Sequence, residues 1–146
     1  MATLESSSRP RAPPADPLEI RISATVNPSE AEARVRRGML RIFPDATLET
    51  RPDSPGGRIV IEGVAPTLDR FAEIIAQSRI RDAARAVMVR GIPRDDDTRC
   101  RFFINKQAAF VGRLNFVPET AVLGPITVEL IGAGVMAKID EMTVHD

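Results

Sequence analysis

Leu18-Glu19-Ile20-Arg21-Ile22-Ser23-Ala24-Thr25-Val26, followed at once by Asn27-Pro28-Ser29-Glu30, is the stretch that decides the fold class. Leu18, Ile20, Ile22, Ala24 and Val26 take one side of an extended chain, and Glu19, Arg21, Ser23 and Thr25 take the other. A period of two marks a strand with one face in a core and one in water. The next four residues then announce a helix. Asn27 is a capping residue, Pro28 suits the first helical position, and Glu30 suits the third. Inward positions Val35, Met39, Ile42 and Phe43 carry that helix to Phe43, and Pro44 stops it.

Working outward, residues 46–51 and 58–64 read as strands joined by Asp53-Ser54-Pro55-Gly56-Gly57, a hairpin turn. Thr67 is a candidate cap for a helix that buries Leu68, Phe71, Ile74 and Ile75. A second helical stretch, 80–89, follows after a kink, with Ile80, Ala83, Ala84, Val87 and Met88 inward. Residues 91–98 form a polar turn. Residues 99–105, 114–117 and 126–131 read as strands, 106–110 is ambiguous, and 135–142 forms a short helix. The order β-α-β-β-α-α-β-β-β predicts an α+β fold: an antiparallel-rich sheet with helices packed on one face. Residues 1–16, rich in Ser, Pro and Ala, bury too little to order and are expected to be a disordered tail. Residues 17–146 then make one domain.

The 146 residues are 43% hydrophobic and carry no net charge, with eighteen arginines among the twenty basic residues. A neutral total gives no global pull toward nucleic acid or membrane. The distribution is uneven, however. Residues 79–113 hold nine basic groups against four acidic ones, while 114–146 hold five acidic groups against Lys138. Phe102, Phe103, Phe110 and Phe116 lie in or beside the basic window. Guanidinium groups hold phosphates, and rings or guanidinium planes stack on unpaired bases. On the 99–105 strand, Arg99, Arg101, Phe103 and Asn105 share a face, which becomes a platform for RNA if helices cover only the other side. The plain alternative is that such arginines are an ordinary solvated face. Arg34, Arg36, Arg37 and Arg41 read as a solvated cluster, since helical spacing keeps all four from pointing one way.

Enzyme chemistry finds little to use. His145 is the single histidine and Cys100 the single cysteine, so neither a His/Cys metal site nor a histidine triad can be assembled, and no intrachain disulfide forms. Asp95-Asp96-Asp97 is read as a solvated turn rather than a Mg²⁺ site. Gly132-Ala133-Gly134 lacks the third glycine of a dinucleotide loop. No catalytic residue, metal or cofactor is assigned. The N-terminus lacks an apolar signal-peptide core, and no stretch reaches the roughly 18–20 apolar residues of a membrane helix. Cytoplasmic location is expected.

Several segments together resemble a family of small archaeal proteins of uncharacterised function that are predicted to bind RNA. They are Asn27-Pro28-Ser29-Glu30, Ile42-Phe43-Pro44-Asp45, Ile80-Arg81-Asp82-Ala83-Ala84-Arg85 and, above all, the run from Phe103 through Asn105-Lys106-Gln107-Ala108-Ala109-Phe110-Val111-Gly112-Arg113 to Asn115-Phe116. Leu123-Gly124-Pro125-Ile126 and Ile139-Asp140 follow at the family's spacing. The resemblance covers 18–140. It implies a fold similar to that of the large-subunit ribosomal protein that holds five-S RNA, and a sister branch is predicted to accompany the RNA-degrading exosome. Arg81 stands where the family tends to have an aliphatic residue, and the aromatic ending after Asp140 is missing. On this basis RNA is the expected partner. Arg81, Arg85, Lys106 and Arg113 are expected to meet phosphates, Asn105, Gln107 and Asn115 to hydrogen-bond, and Phe103 or Phe110 to stack. The competing expectation is a protein-interaction or structural subunit: a homodimer or a component of a larger RNA-processing complex. There the basic and acidic regions pair between subunits, and the Lys106-Gln107 and Asn115 groups satisfy backbone at a buried turn.

Overall fold

The computed structural model describes residues 18–53 and 57–144. The expected tail at 1–16, the tip of the 53–57 turn and His145 lie outside them. The elements run β1 (Glu19–Val26), α1 (Glu32–Ile42), β2 (Thr47–Asp53), β3 (Arg58–Ala65), α2 (Asp69–Ser78), α3 (Arg81–Arg90), β4 (Arg99–Ile104), α4 (Lys106–Phe110), β5 (Ile126–Ile131) and α5 (Val135–Thr143). The strands form one sheet in the order β2-β3-β1-β5-β4, with every neighbouring pair antiparallel. The predicted α+β class is the one observed.

β1 sits at the centre because its apolar row has partners on both sides. Ile20 faces Ala65 and Leu130, and Ala24 faces Ile61 and Ile126. Helices cover that row. The predicted inward residues of α1 (Val35, Met39, Ile42) and of the following helix (Phe71, Ile74, Ile75), with Phe43 and Leu68 beside them, are all buried in one continuous core. Phe71 is its hub: Phe43 stacks on it at 6.0 Å between centroids, Phe102 lies at 5.4 Å and Phe116 meets it edge-on at 6.5 Å. Such ring pairs add about 0.5–1.5 kcal/mol each beyond their buried area. Cys100 belongs to this core. Its Sγ donates to the Met88 carbonyl at 3.1 Å, and burial pushes the thiol up to about 12. It is a packing residue without nucleophilic character.

Three local expectations are corrected and one open segment is resolved. First, α1 begins at Glu32, not at Pro28, and Asn27 is not its cap. The Asn27 backbone N–H and Nδ2 both donate to Glu30 Oε1, at 3.0 and 2.9 Å, so the two residues close a separate turn ahead of the helix. Second, 106–110 is a helix, because the Asn105 side chain accepts from the Ala108 N–H at 2.8 Å and nucleates it. Third, 114–117 is not a strand. Phe116 makes a single bridge to Ile104, and Pro118 lacks the N–H that a further rung requires. Fourth, Ala83 is exposed. The kink expected between α2 and α3 is present at Arg79, whose φ is 59°.

The outer edge of β4 is closed. Arg101 N–H donates to Gly91 O at 3.0 Å, Val117 N–H to Phe103 O at 3.0 Å, and Asn105 N–H to Asn115 O at 2.9 Å. Gly91 approaches so closely that a Cβ there would lie 2.2 Å from the Arg101 carbonyl oxygen.

Candidate nucleic-acid interface

The uncovered face of the sheet carries the outward rows of all five strands. It is charged, but its charges are paired. Arg21 reaches Glu19 at 2.6 Å, Arg51 reaches Glu62 at 2.9 Å, Arg99 reaches Glu129 at 2.7 Å, and Arg101 reaches Glu119 at 3.6 Å. A shallow depression across its middle is lined by Glu49, Glu62 and Glu129 against Arg21. An anionic strand would meet carboxylates wherever it met guanidinium groups. Phe103 is half-buried there with the Arg101 guanidinium 5.5 Å from its centroid. The platform expected on the 99–105 strand therefore exists as a surface, without the net positive field that phosphate binding requires.

The helical side differs. α1 and α4 pack closely, and Gly38 permits it: a Cβ there would come within 3.1 Å of the Phe110 backbone nitrogen. This brings Phe110 under α1. The Arg34 guanidinium carbon lies 3.9 Å from its ring centroid and that of Arg37 lies 5.7 Å away. Arg41 lies one turn beyond Arg37, and the turn that leaves α4 passes beside it; a Cβ on Gly112 would be 3.5 Å from Arg41 Nη1. Arg113 is the next residue. Arg34, Arg37, Arg41 and Arg113 are all exposed, and none of the four has an ion-pair partner among the described residues. Arg36, one position off this row, turns away to Glu32 at 3.2 Å and to Thr50. Sequence reasoning discounted the α1 arginines because four cannot share a face. Three of them can, at the i, i+3, i+7 spacing of 34, 37 and 41.

Beneath this surface lies Lys106, only 5% exposed. Its Nζ donates to Thr25 O at 2.5 Å, Leu123 O at 2.7 Å and Glu30 Oε1 at 2.9 Å, so all three N–H groups are committed. Asn27 Nδ2 also donates to Leu123 O, at 3.0 Å. Burial alone would raise the Glu30 carboxyl. Hydrogen bonds from the Asn27 N–H, Lys106 and the Asn27 amide, with the Lys106 charge, outweigh it and hold Glu30 below the ordinary glutamate range. The cluster fixes Leu123, whose φ of 65° is a left-handed conformation costly for a branched side chain.

A family model described as RNA binding matches residues 19–130. The chain belongs to that family. A UPF0201 protein from Methanothermobacter thermautotrophicus is 32% identical over 123 residues, covering 84% of this chain and 88% of that protein. A UPF0200/UPF0201 protein from Archaeoglobus fulgidus is 38% identical over 111 residues, which is 76% of this chain but 32% of the relative; this chain spans about a third of that protein's length. The crystal structure of a UPF0201 protein from Methanococcus jannaschii superposes with a TM-score of 0.78 at 30% identity, covering 88% of this chain and 94% of the other.

In this member of the RNA-binding family, the residues singled out from sequence, Phe103 on the sheet face apart, fall into three groups. Gln107, Phe110 and Arg113 join the arginine row of α1. Asn105 and Lys106 lie in the same segment but serve the fold, one as a helix cap and the other as a buried clamp, so Lys106 is withdrawn from phosphate contact; Asn115 is exposed, and its carbonyl accepts from Asn105. Arg81 and Arg85 stand elsewhere, on α3. Arg85 Nη1 is held by Asp140 at 2.6 Å and Thr143 at 3.2 Å on α5. Glu30 was read from sequence only as a helix-start residue, and no local pattern reveals that it faces Lys106 across 76 positions. Among the described residues no group of three or more His, Cys, Asp or Glu is placed to hold a metal, and no helix is long and apolar enough to cross a membrane.

Proposed function

We propose that this chain is a non-enzymatic RNA-binding module whose backbone-contacting surface is the α1–α4 face. The observation that carries it is the set of four exposed guanidinium groups, Arg34, Arg37, Arg41 and Arg113, with no carboxylate partner among the described residues, on a molecule whose other arginine-rich face is neutralised by its own glutamates. Arginine is suited to this task because its planar fork pairs with phosphate oxygens two at a time. The contact surface is thus moved from the 79–113 window as a whole to its last part together with α1.

The alternative, a protein-interaction subunit whose basic and acidic regions pair between copies, is supported by the buried Lys106 that satisfies the Thr25 and Leu123 carbonyls; against it, Arg85, Arg99 and Arg101 already pair within the chain with Asp140, Glu129 and Glu119.

The test is fluorescence anisotropy with a labelled RNA at several salt concentrations. Wild type is expected to bind, with log affinity falling linearly in log salt. Arg37→Glu/Arg41→Glu/Arg113→Glu is expected to weaken binding about a hundredfold near 0.1 M salt while keeping its thermal transition. Undiminished binding by a folded triple variant, or binding indifferent to salt, overturns the proposal.

A further inference from the structure

Where α1 begins, a cleft of about 360 Å³ separates it from α4. One wall is formed by Arg34 and Phe110, with the guanidinium carbon 3.9 Å from the ring centroid. Leu123 borders the cleft and Gln107 lines it; the Gln107 side chain is exposed and has no hydrogen-bond partner among the described residues. Glu30 also lines it, and its side chain is 10% exposed. Every donor to Glu30 (the Asn27 N–H, Asn27 Nδ2 and Lys106 Nζ) uses Oε1. The second oxygen, Oε2, has no donor among the described residues. A buried carboxylate oxygen left without a donor loses far more than an exposed one, unless a ligand supplies the missing N–H.

The walls and the polar groups together describe a ligand with a flat apolar body and a donor-rich edge. An unpaired nucleobase has that form: its faces stack on rings and guanidinium planes, and its edge hydrogen-bonds. Guanine alone among the four bases presents two adjacent donors, N1–H and N2–H, on its Watson–Crick edge. Adenine and cytosine place a bare ring nitrogen beside the amine, where it would face the carboxylate lone pairs. Uracil offers one N–H between two carbonyl oxygens.

Building on the RNA-binding function proposed above, we infer that the cleft receives one unpaired guanine of single-stranded RNA, ring against the Arg34–Phe110 wall and N1–H and N2–H toward Glu30 Oε2. Guanine O6 then accepts from the Gln107 amide, and the neighbouring phosphates lie within the arginine row. A duplex cannot satisfy the cleft, because its guanine edge is already paired.

The experiment uses the whole chain and three labelled ten-nucleotide RNAs: all uridine, the same strand with one central guanosine, and the same strand with one central inosine, which lacks the N2 amine. The guanosine strand is expected to bind about tenfold tighter than the uridine strand, the size of one good base-edge contact, with inosine between them. Gln107→Ala, at an exposed position, and Phe110→Leu are each expected to shrink the guanosine-to-uridine ratio toward one. Equal affinity of wild type for all three strands overturns the guanine site and leaves the RNA-binding function standing. No binding of any strand at low salt overturns both.

Discussion

Two surfaces of this molecule are rich in arginine, and they are built on opposite principles. On the open face of the sheet each arginine shares its strand, or the next one, with a glutamate, and the cross-strand register sets Arg51 and Arg99 beside Glu62 and Glu129. On the α1–α4 face the arginines recur at helical spacing with no acid interposed. Composition is the same; the geometry of the partner decides whether a guanidinium is a local ornament of a sheet or a source of field. Exposed pairs of the first kind contribute about 0–1 kcal/mol to folding, so the sheet face is neither a strong brace nor a strong ligand for anions.

Lys106 lies under the arginine face, and Lys106→Met removes the donor that serves Glu30, Thr25 and Leu123 together. Leaving a buried carboxylate unpaired is expected to cost about 3–5 kcal/mol, read as a lower midpoint in urea. At the surface, Arg37→Glu/Arg41→Glu/Arg113→Glu is expected to weaken RNA binding about a hundredfold near 0.1 M salt and to flatten the salt slope by about two, since each single-strand phosphate contact contributes about 0.7 to it. Arg21→Gln/Arg51→Gln/Arg99→Gln, an equal loss of arginine from the sheet face, is expected to change affinity less than about twofold in the same titration.

Acid separates the two surfaces again. Glu30 is held below its ordinary range in the folded chain, so its contribution to stability is present above about 4.5 and is lost as pH falls through the lower folded value. Chemical unfolding at pH 6 and pH 3 is expected to show that loss in wild type, and a smaller one in Glu30→Gln, which starts weaker. The smallest expected effect lies on the sheet face. Glu62→Gln/Glu129→Gln frees Arg51 and Arg99, and is expected to raise RNA affinity a few-fold while moving stability by less than about 1 kcal/mol.

Much of the architecture was legible because it rests on short-range pattern. The alternation from Leu18 to Val26 has two faces in any environment, and the spacing of Leu68, Phe71, Ile74 and Ile75 leaves a helix one side to bury. What failed did so where a distant residue competes for a local group. Asn27 and Glu30 carry the composition of a helix cap, yet Lys106 draws the Glu30 carboxylate inward and the helix starts later. The 114–117 segment has strand composition, but no neighbour offers it a full ladder. Lys106 was open to two readings, a phosphate contact or a group that satisfies backbone at a buried turn, and what decides for the second is three acceptors scattered over 25–123. The useful arginine row was visible in the spacing of 34, 37 and 41; what sequence could not supply was that α4 would bring Phe110 beneath it.

The closed margin of β4 has a further consequence, for assembly. With Gly91 and 115–117 occupying that margin, β2 is the only strand of the described residues at which the sheet can be lengthened. Linear growth of stacked or end-joined sheets needs a free end on both sides of every subunit. A molecule with one can pair through it a single time, and the pair then has none. Among the described residues, then, a second copy joined at β2 leaves no further strand edge open while Gly91 stays docked on Arg101.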